Sequence, residues 1–317
     1  MFNTRACCPA TRIILGIQQD HQGKTNTMND KIYSLPINNA ITAHLSQRQL
    51  DQLPIIVVDH PQVRAAVALQ GAHLISWQPK GEQPVLWLSD NTPFEHGVAI
   101  RGGVPICFPW FGPAAQPNHG FGRLLAWEFT SHSEDANGVT LTFTLRDSEQ
   151  TRAAWPHAFT VLARIHLSAQ ECRMELECHG DYSITSALHT YFQIGEIGKI
   201  RISGLGNTFI DKVNDGKTDT QQGDLTFATR TDRIYTQPAS LSLIEDPVLQ
   251  RTIEVHHAHH SDVVAWNPGA ELSRTISDMT DDGYQTFVCV ETARVTQPLV
   301  ATTQAPARLT STIRLRK

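Results

Sequence analysis

Two arginines, Arg101 and Arg123, bracket the segment of this chain that is best suited to bind an anion. The segment 100–123, IRGGVPICFPWFGPAAQPNHGFGR, is rich in glycine, proline and large aromatic side chains. Proline lacks a backbone donor and glycine costs backbone entropy, so the mixture indicates a loop rather than a helix or a central strand. A guanidinium can form two parallel charge-assisted hydrogen bonds with a phosphate. The segment therefore predicts a preformed pocket for a small anionic molecule, although ion pairs with surface carboxylates are the alternative for both arginines.

Two titratable residues, His189 and Glu291, lie in otherwise apolar segments, SALHTYF and FVCVET. Histidine exchanges protons near neutral pH, and a buried carboxylate needs compensating partners. Each residue also has a structural alternative. His189 could be a core histidine that bonds a backbone carbonyl, and Glu291 could be a strand-end glutamate that faces water.

The composition limits the class of protein. The chain has 317 residues, a net charge of -5, 40% apolar residues and 18% charged residues, as in a soluble globular protein with a large core. The absence of a Lys/Arg run argues against nucleic acid as a partner. No stretch approaches the ~20 apolar residues that cross a bilayer. The six cysteines show no paired metal spacing, so we expect reduced, buried thiols and a cytoplasmic protein.

Short runs with strand character predict the elements that position these residues. They are residues 53–60, 63–69, 74–78, 85–88, 139–146, 159–167, 172–179, 184–194, 200–203, 251–257, 263–266, 285–292 and 307–316. Helical periodicity is scarce: residues 41–50 predict one helix, and residues 278–282 predict a short turn near Glu291. The pattern indicates an all-β, mostly antiparallel sandwich or barrel with few short helices.

The first 27 residues differ in character from the rest of the chain. Their one apolar run, residues 13–17, is too short for the core of a signal peptide. We expect residues 1–27 to be a poorly ordered N-terminal extension and residues 28–317 to form one domain.

Five motifs in order resemble the hexose-6-phosphate mutarotases, a branch of the aldose 1-epimerase superfamily. They are IRGGVPICFPWFGP with HGFGR and LLAWEF, then SALHTYFQIGEI, TDRIY, VVAWNP and FVCVETA, across about residues 50–315. The resemblance implies a galactose-mutarotase-like β-supersandwich. It also implies interconversion of the α and β anomers of a hexose 6-phosphate such as glucose 6-phosphate, without a metal or an organic cofactor. We expect a monomer whose partner is a small-molecule sugar phosphate.

The resemblance also assigns roles to individual residues. His189 and Glu291 match the catalytic histidine and glutamate of the family, while Arg101, Arg123 and Asp232 match substrate-binding positions. Opening a pyranose hemiacetal removes the proton of the C1 hydroxyl and protonates the ring oxygen. At their ordinary pKa values Glu291 fits the base and His189 fits the acid.

Several positions keep two interpretations. Asn118 occupies a binding position that some relatives fill with glutamine, and its shorter side chain is expected to lose or reroute one hydrogen bond. The neighbouring His119 is expected either to line the cleft and orient a hydroxyl or to fix the loop. Trp110, Phe111 and Trp266 are candidates for a sugar-stacking platform or for core packing. The tract His256–His260, HHAHH, predicts a solvated turn rather than a metal site.

Two other functions remain open: an aldose 1-epimerase for unphosphorylated sugars and a sugar-phosphate-binding regulator without turnover.

Overall fold

Antiparallel strands account for about half of the protein. The computed structural model describes residues 28–316, so the predicted extension at residues 1–27 lies outside the described residues. The strands are β1 Ile37–Ala40, β2 Leu45–Leu50, β3 Leu53–His60, β4 Val63–Ala68, β5 His73–Pro79, β6 Ile106–Cys107, β7 Glu128–Glu134, β8 Gly138–Arg146, β9 Phe159–Ser168, β10 Glu171–Gly180, β11 Tyr182–Leu188, β12 Tyr191–Gln193, β13 Arg201–Ser203, β14 Thr208–Asp211, β15 Lys217–Thr220, β16 Thr231–Tyr235, β17 Leu241–Asp246, β18 Arg251–Ala258, β19 Asp262–Asn267, β20 Phe287–Ala301 and β21 Ala307–Arg316. The helical elements are α1 Met28–Ser34, α2 Glu149–Ala154, α3 Gly269–Ser273 and a 3₁₀ turn, Gly283–Thr286.

The strands within residues 28–316 form three sheets. The first sheet is the meander β1-β2-β3-β4-β5, and the second has the order β13-β17-β18-β21-β10-β9-β8-β7. The third sheet has the order β15-β14-β16-β19-β20-β11-β6, and β12 pairs with β20 beside β11. The all-β, antiparallel prediction is therefore confirmed.

One apolar core joins the sheets. Leu141 and Ile165 of the second sheet share it with Val263 and Val290 of the third sheet and Val67 of the first. The strands of the second sheet bury one face, as β9 shows: every second residue of β9 up to Ile165 is buried, and the residues between them are half-buried. The third sheet is different: β19 and residues 287–293 of β20 are buried on both faces, which accounts for the apolar runs VVAW and FVCV.

The predicted helix at residues 41–50 is wrong. Residues Leu45–Leu50 form β2, which pairs with β3 in the register Leu45↔Val58. The buried guanidinium of Arg48 donates to the backbone oxygens of Tyr33 and Leu35, at the end of helix α1. Tertiary packing of alternate residues has overridden the local helical pattern.

Most other predicted strands are present with shifts of one or two residues, and residues 53–60 and 307–316 match β3 and β21. The run 85–88 forms isolated bridges only, through Leu86 and Leu88. The run 184–194 is two strands, β11 and β12, with His189 and Thr190 between them. Strand β20 begins at Phe287 and extends to Ala301, beyond the predicted end.

Candidate active site

The third sheet carries the candidate active site on the face that is turned away from the main core. We call this the site face and define it by Ala187, Val264, Glu291 and Ala293. Val264 is the register partner of Glu291, and Ala187 is the partner of Ala293. Successive side chains of a strand point to opposite faces, so the neighbour Val290 belongs to the main core.

His189 and Glu291 meet on the site face. His189 directly follows Leu188, whose register partner is Thr292, so the interruption between β11 and β12 places the imidazole opposite Glu291. The backbone N–H of His189 donates to the oxygen of Pro105 at 2.9 Å. His189 Nε2 lies 3.4 Å from Glu291 Oε1, and the two residues are 8% and 1% exposed. Within the described residues, His189 Nδ1 and Glu291 Oε2 are buried without a hydrogen-bond partner.

Burial moves the pKa values of this pair apart. Desolvation, followed by the nearby charge of Asp232, raises the pKa of Glu291 well above its ordinary value of 4.5. Desolvation, with His119 and Arg123 adding to it, lowers the pKa of His189 well below 6.5. These directions differ from the ordinary values on which the sequence-based roles rest. Burial therefore favours the uncharged forms of the two groups, a protonated Glu291 carboxyl and a neutral His189 imidazole, over a carboxylate–imidazolium ion pair.

Aromatic rings fix the orientation of the His189 imidazole. Tyr191 stacks on it with a centroid distance of 5.0 Å and an interplanar angle of 11°. His119 and Trp266 approach it edge-on at 5.5 Å and 6.1 Å. Three rings from separate segments thus hold one imidazole against one carboxylate.

His119 presents a defined tautomer. Its backbone lies in the left-handed region with φ 63°, and its Nδ1 accepts the backbone N–H of Gly112 at 3.2 Å. Desolvation, with the charges of Arg123 and Arg101, lowers the pKa of His119 to about 3, so the ring is neutral. A neutral imidazole that accepts at Nδ1 carries its proton at Nε2, so His119 is a hydrogen-bond donor at that atom. His119 fixes the loop and contacts His189, whereas its expected role in orienting a sugar hydroxyl stays a prediction.

The loop predicted for residues 100–123 is present, interrupted only by the two-residue strand β6. Its terminal arginines have different partners. Arg101 Nε donates to Asp278 Oδ1 at 3.0 Å, and Arg101 Nη1 donates to the Tyr191 hydroxyl at 3.1 Å. Arg123 Nη2 donates to the backbone oxygen of Asn118 at 2.8 Å, while its buried Nε has no partner among the described residues. Arg101 is therefore already neutralised by a carboxylate, whereas Arg123 is not.

Asn118 lies in the loop 100–123, and Asp232 lies on strand β16 of the third sheet. Asn118 is exposed, and only its backbone oxygen has a hydrogen bond within residues 28–316, so the predicted role of its side chain stays a prediction. Asp232 is half-buried and is the register partner of Trp266, on the site face. Desolvation raises the pKa of Asp232, and the charges of Lys212 and Arg230 oppose this shift.

The three candidate platform aromatics separate into two groups. Trp110 belongs to the main core and donates its indole N–H to the oxygen of Pro117, so core packing explains it. Phe111 contacts the His119 ring edge-on at 5.0 Å, and Trp266 contacts His189. Phe111 and Trp266 therefore line the site.

The predicted solvated turn at His256–His260 is only partly correct. Strand β18 continues to Ala258, and His257 is 4% exposed. Its Nδ1 lies 2.8 Å from Thr292 Oγ1 and its Nε2 lies 3.0 Å from Ser242 Oγ. The alternation of β18 turns His257 into the core, where the two hydroxyls satisfy both ring nitrogens.

Three residues at the site were not predicted. Tyr191 lies within the motif SALHTYF, and its spacing of two from His189 could have indicated a shared face. Asp278 begins the predicted turn at residues 278–282, but its pairing with Arg101 spans 177 residues, so no local signal reveals it. Lys212 ends the run TFIDK, whose alternation could have placed it beside Ile210.

The cysteines and carboxylates of the described residues provide no metal site. Cys107, Cys172, Cys178 and Cys289 are free and buried. No group of three or more His, Cys, Asp or Glu side chains within residues 28–316 is arranged to hold a metal ion. No helix in the same range is long and apolar enough to span a bilayer.

Comparisons with known proteins agree with the geometry of the site. The family described as aldose 1-epimerase matches residues 54–315. A Salmonella typhimurium protein named "Putative glucose-6-phosphate 1-epimerase" is 58% identical over 290 residues, which is 90% of this chain and 98% of that protein. An Escherichia coli K12 protein of the same name is 56% identical over 294 residues, or 92% and 100% of the two chains. The crystal structure of "a putative mutarotase (YeaD)" from Salmonella typhimurium has a TM-score of 0.90 at 57% identity, with 92% of this chain and 100% of that chain covered. The predicted resemblance and the mutarotase-like fold are confirmed.

Proposed function

Since the chain belongs to the aldose 1-epimerase family, we propose that it interconverts the α and β anomers of a hexose 6-phosphate, with glucose 6-phosphate as the first candidate. The protein is an isomerase that acts on a small-molecule sugar. The observation that carries the proposal is the buried pair of His189 and Glu291, 3.4 Å apart, each with one side-chain atom that has no hydrogen-bond partner among residues 28–316. Such a pair can exchange two protons with one ligand.

Glu291 is the base and His189 is the acid of the ring-opening step. The carboxylate takes the proton of the C1 hydroxyl while the imidazolium gives a proton to the ring oxygen. The C1–O5 bond breaks, C1 becomes an aldehyde carbon, and no covalent intermediate with the protein forms. After rotation about C1–C2 the aldehyde presents its other face, and the two residues exchange roles as the ring closes.

Because burial raises the pKa of Glu291 and lowers that of His189, it favours the neutral form of this pair over the charged form before the substrate binds. The neutral form has the proton on Glu291, and the reactive carboxylate–imidazolium form has the same proton count. One proton transfer across the contact between Oε1 and Nε2 connects the two forms. The hydroxyl groups of a bound sugar can donate to the Glu291 carboxylate, which favours its charged form. Substrate binding and activation of the base are therefore linked.

Arg123 supports the phosphorylated substrate. Its guanidinium pairs with no carboxylate among residues 28–316, and its Nε is buried without a partner. An uncompensated, partly buried cation stabilises an anionic ligand through charge-assisted hydrogen bonds. The charge of Arg101 is already offset by the ion pair with Asp278. We therefore assign Arg101, together with Asp232, to the sugar hydroxyls.

We also propose a cytoplasmic monomer that works without a cofactor. The four cysteines of the described residues are free, buried thiols, which favours a reducing compartment. Within residues 28–316, the exposed large apolar residues lie in separate segments of the chain, for example Ile37, Val98, Val213 and Val300, which favours a monomer. Light scattering of the purified chain tests the oligomeric state.

Magnetisation-exchange NMR on the α and β anomers tests the reaction. The enzyme is expected to accelerate exchange of glucose 6-phosphate more than that of glucose at equal concentration. His189→Ala should abolish most of the acceleration, whereas His96→Ala, at an exposed histidine, serves as the control. Faster exchange of glucose would favour an epimerase for unphosphorylated sugars. Spontaneous rates with both sugars would favour a regulator without turnover.

A further inference from the structure

A buried histidine joins the second sheet to the strand that carries Glu291. His257 lies on β18, and its Nδ1 is 2.8 Å from the hydroxyl oxygen of Thr292 on β20. Its Nε2 is 3.0 Å from the hydroxyl oxygen of Ser242 on β17. His257 is 4% exposed, and the other two side chains are fully buried. We call Ser242, His257 and Thr292 the cross-sheet network.

Thr292 occupies a strand position between His189 and Glu291, which we call the acid–base pair. It directly follows Glu291 on β20. Its register partner on β11 is Leu188, which directly precedes His189. A displacement of Thr292 and Leu188 therefore moves both members of the acid–base pair and changes the 3.4 Å contact between them.

The hydrogen bond from His257 fixes a position that apolar packing leaves free. Thr292 points into the main core, on the face opposite Glu291, where Val255 of β18 and Val290 of β20 also lie. Hydrophobic contact is not directional, so it holds two sheets together without fixing the position of one strand along the other. A hydrogen bond allows only a narrow range of distances and angles. The contact with His257 therefore fixes Thr292 relative to the second sheet.

His257 forms both of its contacts as a neutral imidazole. Desolvation, with the nearby His260 and His256 adding to it, lowers the pKa of His257 to about 3. A neutral imidazole donates from one ring nitrogen and accepts at the other, and each hydroxyl can do either. Both ring nitrogens are thus satisfied, and a satisfied buried polar network makes the packing around it rigid.

We infer that His257 is a positioning residue that, through Thr292, holds the acid–base pair in the geometry that proton transfer requires. The inference rests on the proposed function, since it concerns the chemical step at the same site. His257 lies on the other side of the third sheet from Glu291, so it acts on the reacting groups without contacting the sugar. Its loss should therefore lower kcat rather than raise KM.

The alternative is that His257 only stabilises the core. Removing either of its hydroxyl partners would then lower the melting temperature and leave kcat unchanged. A positioning role instead makes the two partners unequal, because only Thr292 is adjacent to the acid–base pair in the sheet.

The test uses Thr292→Val in the full chain, with Ser242→Ala as the matched control. Each variant removes one hydrogen bond from the same imidazole, so the melting temperature should fall by about 3 °C in both. Only Thr292→Val is expected to lower kcat for glucose 6-phosphate, by about tenfold, because a small misplacement of reacting groups slows the chemical step. KM should stay nearly unchanged, and Thr292→Ser, which keeps the hydroxyl, should restore most of kcat. Equal values of kcat in Thr292→Val and Ser242→Ala would overturn the role of His257.

A double-mutant cycle assigns the effect to the bond itself. His257→Leu removes the same bond from the second sheet and should lower kcat by the same factor as Thr292→Val. The two losses should not add in the double variant, because both substitutions remove one interaction. Additive losses would show that Thr292 acts without His257 and would overturn the inference.

NMR of the histidine side chains tests the positioning without turnover. The ¹⁵N resonances of the His189 imidazole are assigned by their absence from His189→Ala. A shift of these resonances in Thr292→Val, but not in Ser242→Ala, supports the inference even if no anomer exchange is found, in which case only the proposed function fails. Unchanged His189 resonances and an unchanged kcat would overturn the role of His257 while leaving the proposed function intact.

Discussion

Replacement of Glu291 by glutamine separates catalysis from folding. Glu291→Gln keeps the size of the side chain but removes the base. The carboxylate has one contact with His189, at 3.4 Å, and its second oxygen has no partner among residues 28–316, so few native interactions are lost. General acid–base catalysis by one group contributes about 10²–10⁴-fold. We therefore expect exchange of glucose 6-phosphate anomers to slow by that factor, or about 3–5 kcal/mol of barrier.

The same substitution should stabilise the fold at higher pH. Burial raises the pKa of Glu291 above its unfolded value near 4.5, so its stabilising contribution is present below that value and is lost as the pH rises through the folded pKa. Glutamine does not titrate. The melting temperature of Glu291→Gln should exceed that of the wild type at alkaline pH, and the difference should shrink on acidification.

Two measurements decide this prediction. Magnetisation-exchange NMR gives the rate, and thermal melts followed by circular dichroism at several pH values give the stability difference. Exchange that stays within tenfold of the wild type would remove Glu291 from the chemical step. A stability difference that grows on acidification would contradict the raised pKa.

Three other predictions rest on the same geometry. Because burial lowers the pKa of His189, kcat should show no step at pH 6.5, the ordinary pKa of a histidine. A tenfold fall in kcat per pH unit above 6.5, measured with glucose to avoid phosphate titration, would contradict the lowered pKa of His189. Gly120→Ala should lower the melting temperature by about 4 °C more than Gly81→Ala. The two glycines both have φ near 75°, but only a Cβ added at Gly120 would clash, at 2.0 Å from the backbone oxygen of Phe108. Equal melting temperatures of the two variants would refute the clash. Tyr191→Phe should raise KM about tenfold, because it removes the hydroxyl that accepts a hydrogen bond from the Arg101 guanidinium. The effect on kcat should be smaller, because the aromatic ring still stacks on His189. An unchanged KM with a lower kcat would instead show that the hydroxyl takes part in the chemical step.

Regular alternation made much of the fold predictable. Residues 307–316 alternate in the sequence and form β21 with the predicted bounds. The prediction failed where local and tertiary preferences differ. Residues 45–50 have a helical pattern, but pairing with β3 makes them a strand. His257 looked solvated because the tract is polar, yet the parity of β18 turns it into the core.

The catalytic candidates were predictable for another reason. His189 and Glu291 stand in segments whose other residues are apolar, and the motif around each resembles one family. Their side chains meet in the structure, as a shared role requires. The sequence could not indicate their pKa values, because desolvation depends on residues from distant strands that cover them.

The sequence by itself determined the residue types, the strand-forming alternation and the family to which the chain belongs. The tertiary structure alone decided which charges are compensated. Arg101 and Arg123 are the same residue type, but Arg101 pairs with Asp278, which is 177 residues away in the sequence. Arg123 has no carboxylate partner among the described residues. Lys212 gains its position in the same way, from a register that pairs it with Asp232. Sheet register depends on contacts between residues that are far apart in the chain, so it cannot be predicted from the local sequence.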